Sequence, residues 1–257
     1  RYPWIHEYTP WNEENHYLQP TSTNPRRAAE YFNALKSYCS SCSITAADVL
    51  DIPNMVEWVT KFKRYAHNPR LWGMHNYADV SAGLHTKTSE LLKLVSGQIW
   101  FTETGGVVWR YEHANNGHHA YYIVHSETYA SKGATHLVSL MHYSSRIARV
   151  YYYEWRVNES LAWARKHGKL SWDSGLIRPD CSVRSAFVVI ARAMGRNPNK
   201  IPSAKRNSKN ECVSPKKAVA KPITDTPVST ETPTVTTEAP TGGAQAASVA
   251  QRPVNSR

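Results

Sequence analysis

The strongest constraint on the fold is a regular alternation of strand-like and helix-like segments over residues 2–194. Short apolar runs rich in aromatic and β-branched residues predict strands, and apolar side chains at helical spacing predict helices. Strands are expected at 2–10, 43–52, 71–80, 98–108 and 147–157, and helices at 25–40, 54–66, 87–97, 118–145 (interrupted near Gly133) and 183–194. The strands show little polar alternation, so both sheet faces should be covered by helices. This pattern predicts an α/β fold with a parallel sheet.

The composition changes after residue 195. Residues 196–257 are rich in Pro, Thr, Ser and Ala and offer little to pack, so we predict a folded body at 1–195 and a disordered tail at 196–257. The tail holds 10 Lys and Arg against 4 Asp and Glu, more than half of the net charge of +11. Because the body is only mildly basic, no nucleic-acid partner is expected, although polyanion binding through the tail is an alternative.

Cys39 and Cys42 form a CSSC motif, which raises zinc or redox chemistry. No second pair of zinc ligands stands nearby, and the motif closes a predicted helix instead of opening one. Local thiols or a short-range disulfide are therefore the favoured interpretation. We expect no metal and no cofactor, since glycine-rich phosphate-binding motifs are also missing from the sequence. No apolar run reaches about 18 residues, so no membrane span is expected.

Polar side chains gather where the predicted strands end. In a (β/α) barrel, the carboxyl ends of the strands form the active-site face. The aspartates Asp48, Asp51 and Asp79 and the pair His118–His119 are expected to be structural or solvated. Candidate functional side chains at these ends are Asn12, Glu13, His75, Asn76, Tyr77, Glu103 and Trp155.

Two of these motifs carry a family resemblance. Trp11-Asn12-Glu13 resembles the Asn-Glu-Pro signature on strand four of retaining (β/α)8 glycosidases, and Phe101-Thr102-Glu103 resembles the Thr-Glu signature on strand seven. His75–Asp79 and Tyr151–Trp155 fall where strands six and eight should end. Over residues 1–195 the chain is most similar to cellulase-like glycosyl hydrolases common in actinobacteria. The resemblance implies a TIM barrel of which this chain supplies only strands four to eight, as a piece of a longer protein.

The resemblance also implies a reaction. A retaining glycoside hydrolase uses two carboxyl groups, and here Glu13 would be the acid/base and Glu103 the nucleophile. The resemblance further implies that Asn12 bonds the sugar 2-hydroxyl, His75 or Tyr77 orients Glu103, and Trp155 lies under a sugar ring. Asn76 is grouped with these substrate-binding residues.

The chain departs from the family pattern at Glu14, which replaces the proline of the signature. Strand alternation favours Glu13 as the acid/base and should turn Glu14 away from the cleft.

The expected partner is an oligo- or polysaccharide, bound by a monomer that is secreted or located at the cell surface. The alternative is a carbohydrate-binding pseudoenzyme or an inactive barrel fragment.

Overall fold

A computed structural model describes residues 4–112, 121–168, 172–200, 205–207 and 212–213. They lie within one compact unit, Arg1–Lys217, and a second unit, Ala218–Arg257, falls outside the described residues. The elements are β1 (Glu7–Tyr8), α1 (Pro25–Tyr38), β2 (Ser43–Ile44), β3 (Asp48–Leu50), α2 (Met55–Phe62), β4 (Leu71–His75), α3 (Tyr77–Ala82), α4 (Thr86–Leu94), β5 (Gln98–Thr104), β6 (Trp109–Glu112), β7 (Tyr121–Val124), α5 (Glu127–Met141), β8 (Ile147–Tyr152), α6 (Leu161–Lys166), β9 (Trp172–Asp173), α7 (Ser185–Ala193), a 3-10 turn (Pro198–Lys200), β10 (Lys205–Arg206) and β11 (Cys212–Val213).

The parallel sheet follows chain order. β1 pairs in parallel with β2, and β3, β4, β5 and β8 pair in parallel in that order. The strand predicted at 43–52 is divided into β2 and β3, but the chain between them still pairs on both sides. The N–H of Thr45 bonds to Tyr8 O at 3.0 Å, and that of Ala46 to Leu71 O at 2.7 Å. The predicted α/β architecture of a partial (β/α) barrel is confirmed.

The core forms between this sheet and the amphipathic helices. α1 begins at Pro25, with the side chain of Asn24 accepting the N–H of Arg27, and buries Phe32. α2 buries an apolar face that includes Trp58 and Phe62, whose rings stack 5.4 Å apart. Burying such aromatic side chains stabilises the body by about 1.5–3 kcal/mol each. The helices thereby fix one face of the sheet and leave the strand ends to carry the site.

Four of the predicted strands are longer than the observed ones. The strand predicted at 98–108 ends at Thr104, and the one predicted at 147–157 ends at Tyr152. In the range 2–10, only Glu7–Tyr8 is a strand among the described residues. The strand predicted at 71–80 ends at His75, and Tyr77–Ala82 is helical. A side-chain hydrogen bond favours the helix over the strand here, because Asp51 accepts the N–H of Asp79 at 2.7 Å. A carboxylate that bonds a backbone N–H offers the chain an alternative to a sheet partner.

The long helix predicted at 118–145 is also shorter. Tyr121–Val124 is a strand paired antiparallel with β6, and α5 begins at Glu127 behind the capping hydroxyl of Ser126. Aromatic and β-branched residues in YYIV explain the strand. Gly133 does not interrupt α5, and a Cβ there would lie 3.3 Å from Val80 and from Gly106. His118 and His119 lie outside the described residues.

Described structure continues past residue 195. β10 and β11 pair antiparallel, and a disulfide joins Cys212 to Cys181. The boundary at 195 stays a prediction, and most of the tail lies outside the described residues. Cys39 and Cys42 form a disulfide at the end of α1, so the short-range disulfide interpretation is confirmed. Within the described ranges, no helix is long and apolar enough to cross a membrane.

Candidate active site

The segment after β1 is fastened to the free edge of β3. The Glu14 N–H donates to Asp48 O at 3.1 Å, and the Asp48 N–H donates to Glu14 Oε2 at 2.5 Å. Two residues along β3, the side-chain amide of Asn15 bonds both Leu50 O (3.0 Å) and Leu50 N (2.8 Å). Glu14 and Asn15 thus replace a partner strand along alternate residues of β3. This anchoring holds Glu13 at φ +50°, a conformation that non-glycine residues adopt only when the surroundings impose it.

His75 lies at the centre of the site. Its Nδ1 is 3.1 Å from Glu13 Oε1 and 3.9 Å from Glu103 Oε2, and its Nε2 is 3.2 Å from Asp48 Oδ2. The side chain of His75 is only 2% exposed. The first residue of β3, the last residues of β4 and β5 and the segment after β1 therefore place three carboxylates around one imidazole.

These carboxylates decide the charge of His75. Burial by itself lowers the pKa of the imidazole, but the hydrogen bonds to Asp48 and Glu13 and the charge of Glu103 raise it to about 10. His75 is therefore an imidazolium at neutral pH, and both ring nitrogens donate.

Glu103 is held by a second group. The Tyr77 hydroxyl donates to Glu103 Oε1 at 2.8 Å, and the ring of Trp172 packs edge-on against that of Tyr77 at 4.8 Å. Burial raises the pKa of Glu103, whereas the charge of His75 and the Tyr77 hydrogen bond oppose the rise. One hydrogen-bond donor, Tyr77, and the positive charge of His75 thus favour the ionised form of Glu103 against the cost of its burial.

The two glutamates come close together. Carboxylate oxygens of Glu13 and Glu103 and a ring nitrogen of His75 all lie within 4.8 Å of one another. A metal ion could span such a group, but both ring nitrogens of His75 already face carboxylates. We interpret the cluster as a hydrogen-bonded network. The predicted proximity of Glu13 and Glu103 is confirmed, and their roles stay predictions.

A cavity of about 310 Å³ opens beside this cluster and is lined by Asn12, Asp48, His75, Thr102 and Glu103 among others. Towards the amino ends of the strands, Arg149 on β8 pairs with Glu7 on β1 at 2.6 Å and stacks over Trp100 at 4.3 Å. The cavity therefore has carboxylates at one end and a charged, aromatic surface at the other.

The other predicted site residues are placed differently. Asn12 is exposed and lines the cavity. Asn76 is fully buried, and its side-chain amide has no hydrogen-bond partner among the described residues. Trp155 is 62% exposed and its ring packs against Phe187 of α7 at 5.8 Å. Neither Asn76 nor Trp155 lines the cavity, and the same is true of Glu13 and Tyr77, which contact the lining residues His75 and Glu103. The roles predicted for these four residues stay predictions.

Sequence reasoning did not single out Asp48 or Trp172 as site residues. Gly73 could have indicated that another side chain lies against β4, because a glycine inside a strand often marks a close approach by a neighbouring group. A Cβ at Gly73 would lie 2.4 Å from Asp48 Oδ1. Asp48 also accepts the hydroxyl hydrogen of Thr102. Nothing in the local sequence pattern indicates that Trp172 reaches Tyr77.

The glycine pair after Glu103 makes room for backbone. A Cβ at Gly105 would lie 2.4 Å from Tyr153 O, and one at Gly106 would lie 2.0 Å from Ala130 O. These glycines let β8 and α5 approach the end of β5. Glu154 has no ion pair with the described basic side chains, and burial and the charge of Asp173 raise its pKa to about 7.

Comparison with solved structures supports the fold. A GH128 endo-beta-1,3-glucanase from Amycolatopsis mediterranei, solved in complex with laminaritriose, is 15% identical with a TM-score of 0.51, and the match covers 73% of this chain and 72% of that chain. Native xylanase 10B from Thermotoga maritima is 10% identical with a TM-score of 0.52, and the match covers 74% of this chain and 60% of that chain. No protein-family model matches the chain, and no curated protein does. At these identities the likeness establishes a barrel-type fold shared with glycoside hydrolases.

Proposed function

We propose that this chain is the catalytic unit of a retaining glycoside hydrolase. The observation that carries the proposal is the approach of Glu13 and Glu103 to within 4.8 Å beside a cavity, at the carboxyl ends of parallel strands. Retaining glycosidases hold their two carboxyl groups about 5–5.5 Å apart, whereas inverting enzymes need about 6.5–9.5 Å to admit a water. The separation therefore favours direct attack by a carboxylate.

In the first step, the Glu103 carboxylate attacks the anomeric carbon while Glu13 donates a proton to the departing glycosidic oxygen. The products are a glycosyl ester of Glu103 and a free alcohol. In the second step, Glu13 removes a proton from water, which attacks the same carbon and releases Glu103. The assignment of Glu13 as acid/base rests on its resemblance to the Asn-Glu signature.

His75 and Tyr77 would prepare the nucleophile. The charge of the His75 imidazolium favours the ionised form of Glu103, and the hydroxyl of Tyr77 donates to Glu103 Oε1 and fixes its position. Such preorganised donors act strongly in a site that excludes water. Asn12, at the cavity wall, is placed to meet a sugar hydroxyl.

We infer an oligo- or polysaccharide substrate and a monomeric protein that works outside the cytoplasm. The disulfides Cys39–Cys42 and Cys181–Cys212 support this localisation, since disulfides persist mainly in oxidising compartments. The neighbouring glucanase was solved with laminaritriose, so β-1,3-glucan oligomers are a sensible first substrate panel.

The test compares Glu13→Gln and Glu103→Gln on two kinds of substrate. With unactivated oligosaccharides, both variants should lose activity. With 2,4-dinitrophenyl glycosides, Glu13→Gln should retain much of the first step because the leaving group departs without protonation, whereas Glu103→Gln should lose both steps. A fluoro-sugar inactivator should label Glu103 in the parent protein, as read by peptide mass spectrometry. The exposed Glu57 supplies the control variant Glu57→Gln. Equal activity of all three variants and the parent would overturn the proposal.

A second candidate is a carbohydrate-binding protein without turnover. The observation that favours it is the direct contact of the His75 imidazolium with Glu13 Oε1, the carboxylate that must carry the donated proton. Calorimetry would then show oligosaccharide binding, while chromatography of the same mixture shows no product and no change of anomeric configuration.

A further inference from the structure

We propose that Glu14, a residue outside the cavity lining, is a positioning residue that sets the geometry of the Glu13–His75 pair through Asp48. This inference rests on the proposed function for its kinetic consequences only. Its structural part concerns one buried carboxyl group and the strand edge to which it is bound.

The side chain of Glu14 lies in the core. It is 0% exposed, Oε2 accepts the Asp48 N–H at 2.5 Å, and Oε1 has no partner among the described residues. Its orientation comes from the turn at Glu13 and not from strand alternation, since residues 13 and 14 lie outside any strand. An ionised carboxylate with one bare oxygen would be costly in such a place. Burial accordingly raises the pKa of Glu14 well above its ordinary value.

The bonds of Glu14 hold two parts of the site at once. Its own backbone is fixed at the N–H by Asp48 O (3.1 Å) and at the carbonyl by the hydroxyl of Thr21 (2.9 Å). Because Glu13 is the preceding residue, this bonding determines where the candidate acid/base can lie. The same side chain fixes the backbone of Asp48, whose carboxylate bonds His75 Nε2 at 3.2 Å.

A closed chain of contacts results. It runs from Glu14 to Asp48, from Asp48 to His75, and from His75 Nδ1 to Glu13 Oε1 at 3.1 Å, which returns to the residue beside Glu14. The charged groups that face this chain are Asp48 from β3, Glu103 from β5 and Glu13 itself. A displacement of Glu14 would therefore move both the imidazolium and the acid/base relative to Glu103.

The surroundings of Glu14 disfavour an ionised side chain, because the group is buried and Oε1 has no partner among the described residues. An ionised Glu14 would add a fourth negative charge beside Asp48, against which only the His75 cation is close. Glutamine keeps the length and an acceptor for the Asp48 N–H and cannot ionise. Aspartate keeps the acid but is shorter by one methylene and cannot hold the same bond without moving Asp48.

The experiment compares the full-length parent protein with Glu14→Gln, Glu14→Asp and Glu14→Ala. The first readout is the imidazole nitrogen spectrum of His75 against pH, assigned by its loss in His75→Gln. In Glu14→Gln the His75 signals should stay close to those of the parent. In Glu14→Asp and Glu14→Ala they should move, and the apparent imidazole pKa should fall by about one pH unit or more as the Asp48 bond weakens.

The second readout is kinetic. On a hydrolysed glycoside, Glu14→Asp and Glu14→Ala should lower kcat by about 10- to 100-fold with a smaller change in KM, because small misplacements of reacting groups are costly. Glu14→Gln should restore kcat to within about 3-fold of the parent, because glutamine can still accept the Asp48 N–H.

The outcomes separate the possibilities. If Glu14→Ala does not fold, Glu14→Asp decides. If folded variants lose thermal stability while the His75 spectrum and kcat stay those of the parent, Glu14 is merely structural and the proposal is overturned. If no glycoside is hydrolysed by any form, the proposed function fails, and the His75 spectrum still decides the role of Glu14.

Discussion

The hydroxyl of Tyr77 donates a 2.8 Å hydrogen bond to Oε1 of Glu103. This bond links the start of α3 to the carboxyl end of β5. Tyr77 is buried, and the ring of Trp172 fixes its orientation from the other side. The same burial raises the pKa of the phenol, so Tyr77 remains a hydrogen-bond donor throughout the physiological range. The candidate nucleophile Glu103 is thus held by a residue that follows the neighbouring strand, β4.

Removing this hydroxyl should weaken catalysis without unfolding the protein. In Tyr77→Phe the ring and its contact with Trp172 remain, but Glu103 loses one donor. A hydrogen bond to a charged group contributes about 1.5–3 kcal/mol, so kcat/KM on an aryl glycoside should fall by roughly 10- to 150-fold. Tyr38→Phe, at a tyrosine that is 90% exposed, is the control and should match the parent. Equal rates for Tyr77→Phe and the parent would show that the bond does not serve Glu103.

A methyl group at Gly73 should disturb the site from inside the sheet. A Cβ would lie 2.4 Å from Asp48 Oδ1 and 2.9 Å from Thr102 Oγ1. We expect Gly73→Ala to lower the free energy of unfolding by about 1–3 kcal/mol, as overpacking does in other cores. Urea unfolding measures the loss, and the His75 imidazole spectrum should shift at the same time. A variant with parent-like stability and an unchanged spectrum would contradict this close packing.

Asp51 should make the protein less stable as the pH rises from about 4 to 6. Burial raises its pKa from 3.8 to about 6, so the folded state keeps a proton that the unfolded chain has already released. Stability is therefore greatest below the unfolded pKa and falls until the folded group ionises, by on the order of 3 kcal/mol in total. Asp51→Asn can still accept the Asp79 N–H but cannot titrate. Subtracting its pH profile of unfolding free energy from that of the parent should leave this fall, and a flat difference would argue against it.

Arg184 should be essential to stability because it neutralises a buried carboxylate. It is 5% exposed and bonds both oxygens of Asp173, at 2.5 and 2.8 Å, as well as Glu127. Removing one partner of a buried ion pair costs about 3–5 kcal/mol, so Arg184→Ala should lower the melting temperature strongly. Arg26→Ala, which removes the exposed pair with Glu30, should cost at most about 1 kcal/mol. Similar losses in both variants would contradict the importance of burial.

The effect of Arg184→Ala should extend to the site. Asp173 follows Trp172 in β9, and the ring of Trp172 packs on Tyr77. In the fraction of the variant that remains folded, we therefore expect kcat to fall as it does in Tyr77→Phe. If folded Arg184→Ala protein keeps the kcat of the parent, then β9 holds Trp172 against Tyr77 without this ion pair.

The sequence by itself determined the α/β class and the order of the units, because apolar periodicity reflects which faces of a segment are buried. The same reasoning placed Glu13 and Glu103 after two strands, and adjacent parallel strands bring their carboxyl ends to one edge. α1 and α7 were also predictable, since their apolar spacing is unambiguous. Local patterns failed where a side chain replaces a backbone partner, as at Asp79, or where strand-forming residues precede a helix, as at Tyr121–Val124.

Only the tertiary structure decided the contacts of the site. Asp48 is near in sequence to neither Glu14 nor His75, and its carboxylate reaches His75 because Gly73 leaves the space. Trp155 follows β8 and Glu103 lies at the end of β5, yet the ring of Trp155 packs on α7. Hydrogen bonds between residues 26 to 62 positions apart depend on sheet register and on the path of each turn, and neither leaves a periodic signal in the chain. The same physics explains Glu14, because the pKa of its carboxyl group rises only after folding has removed water from around it.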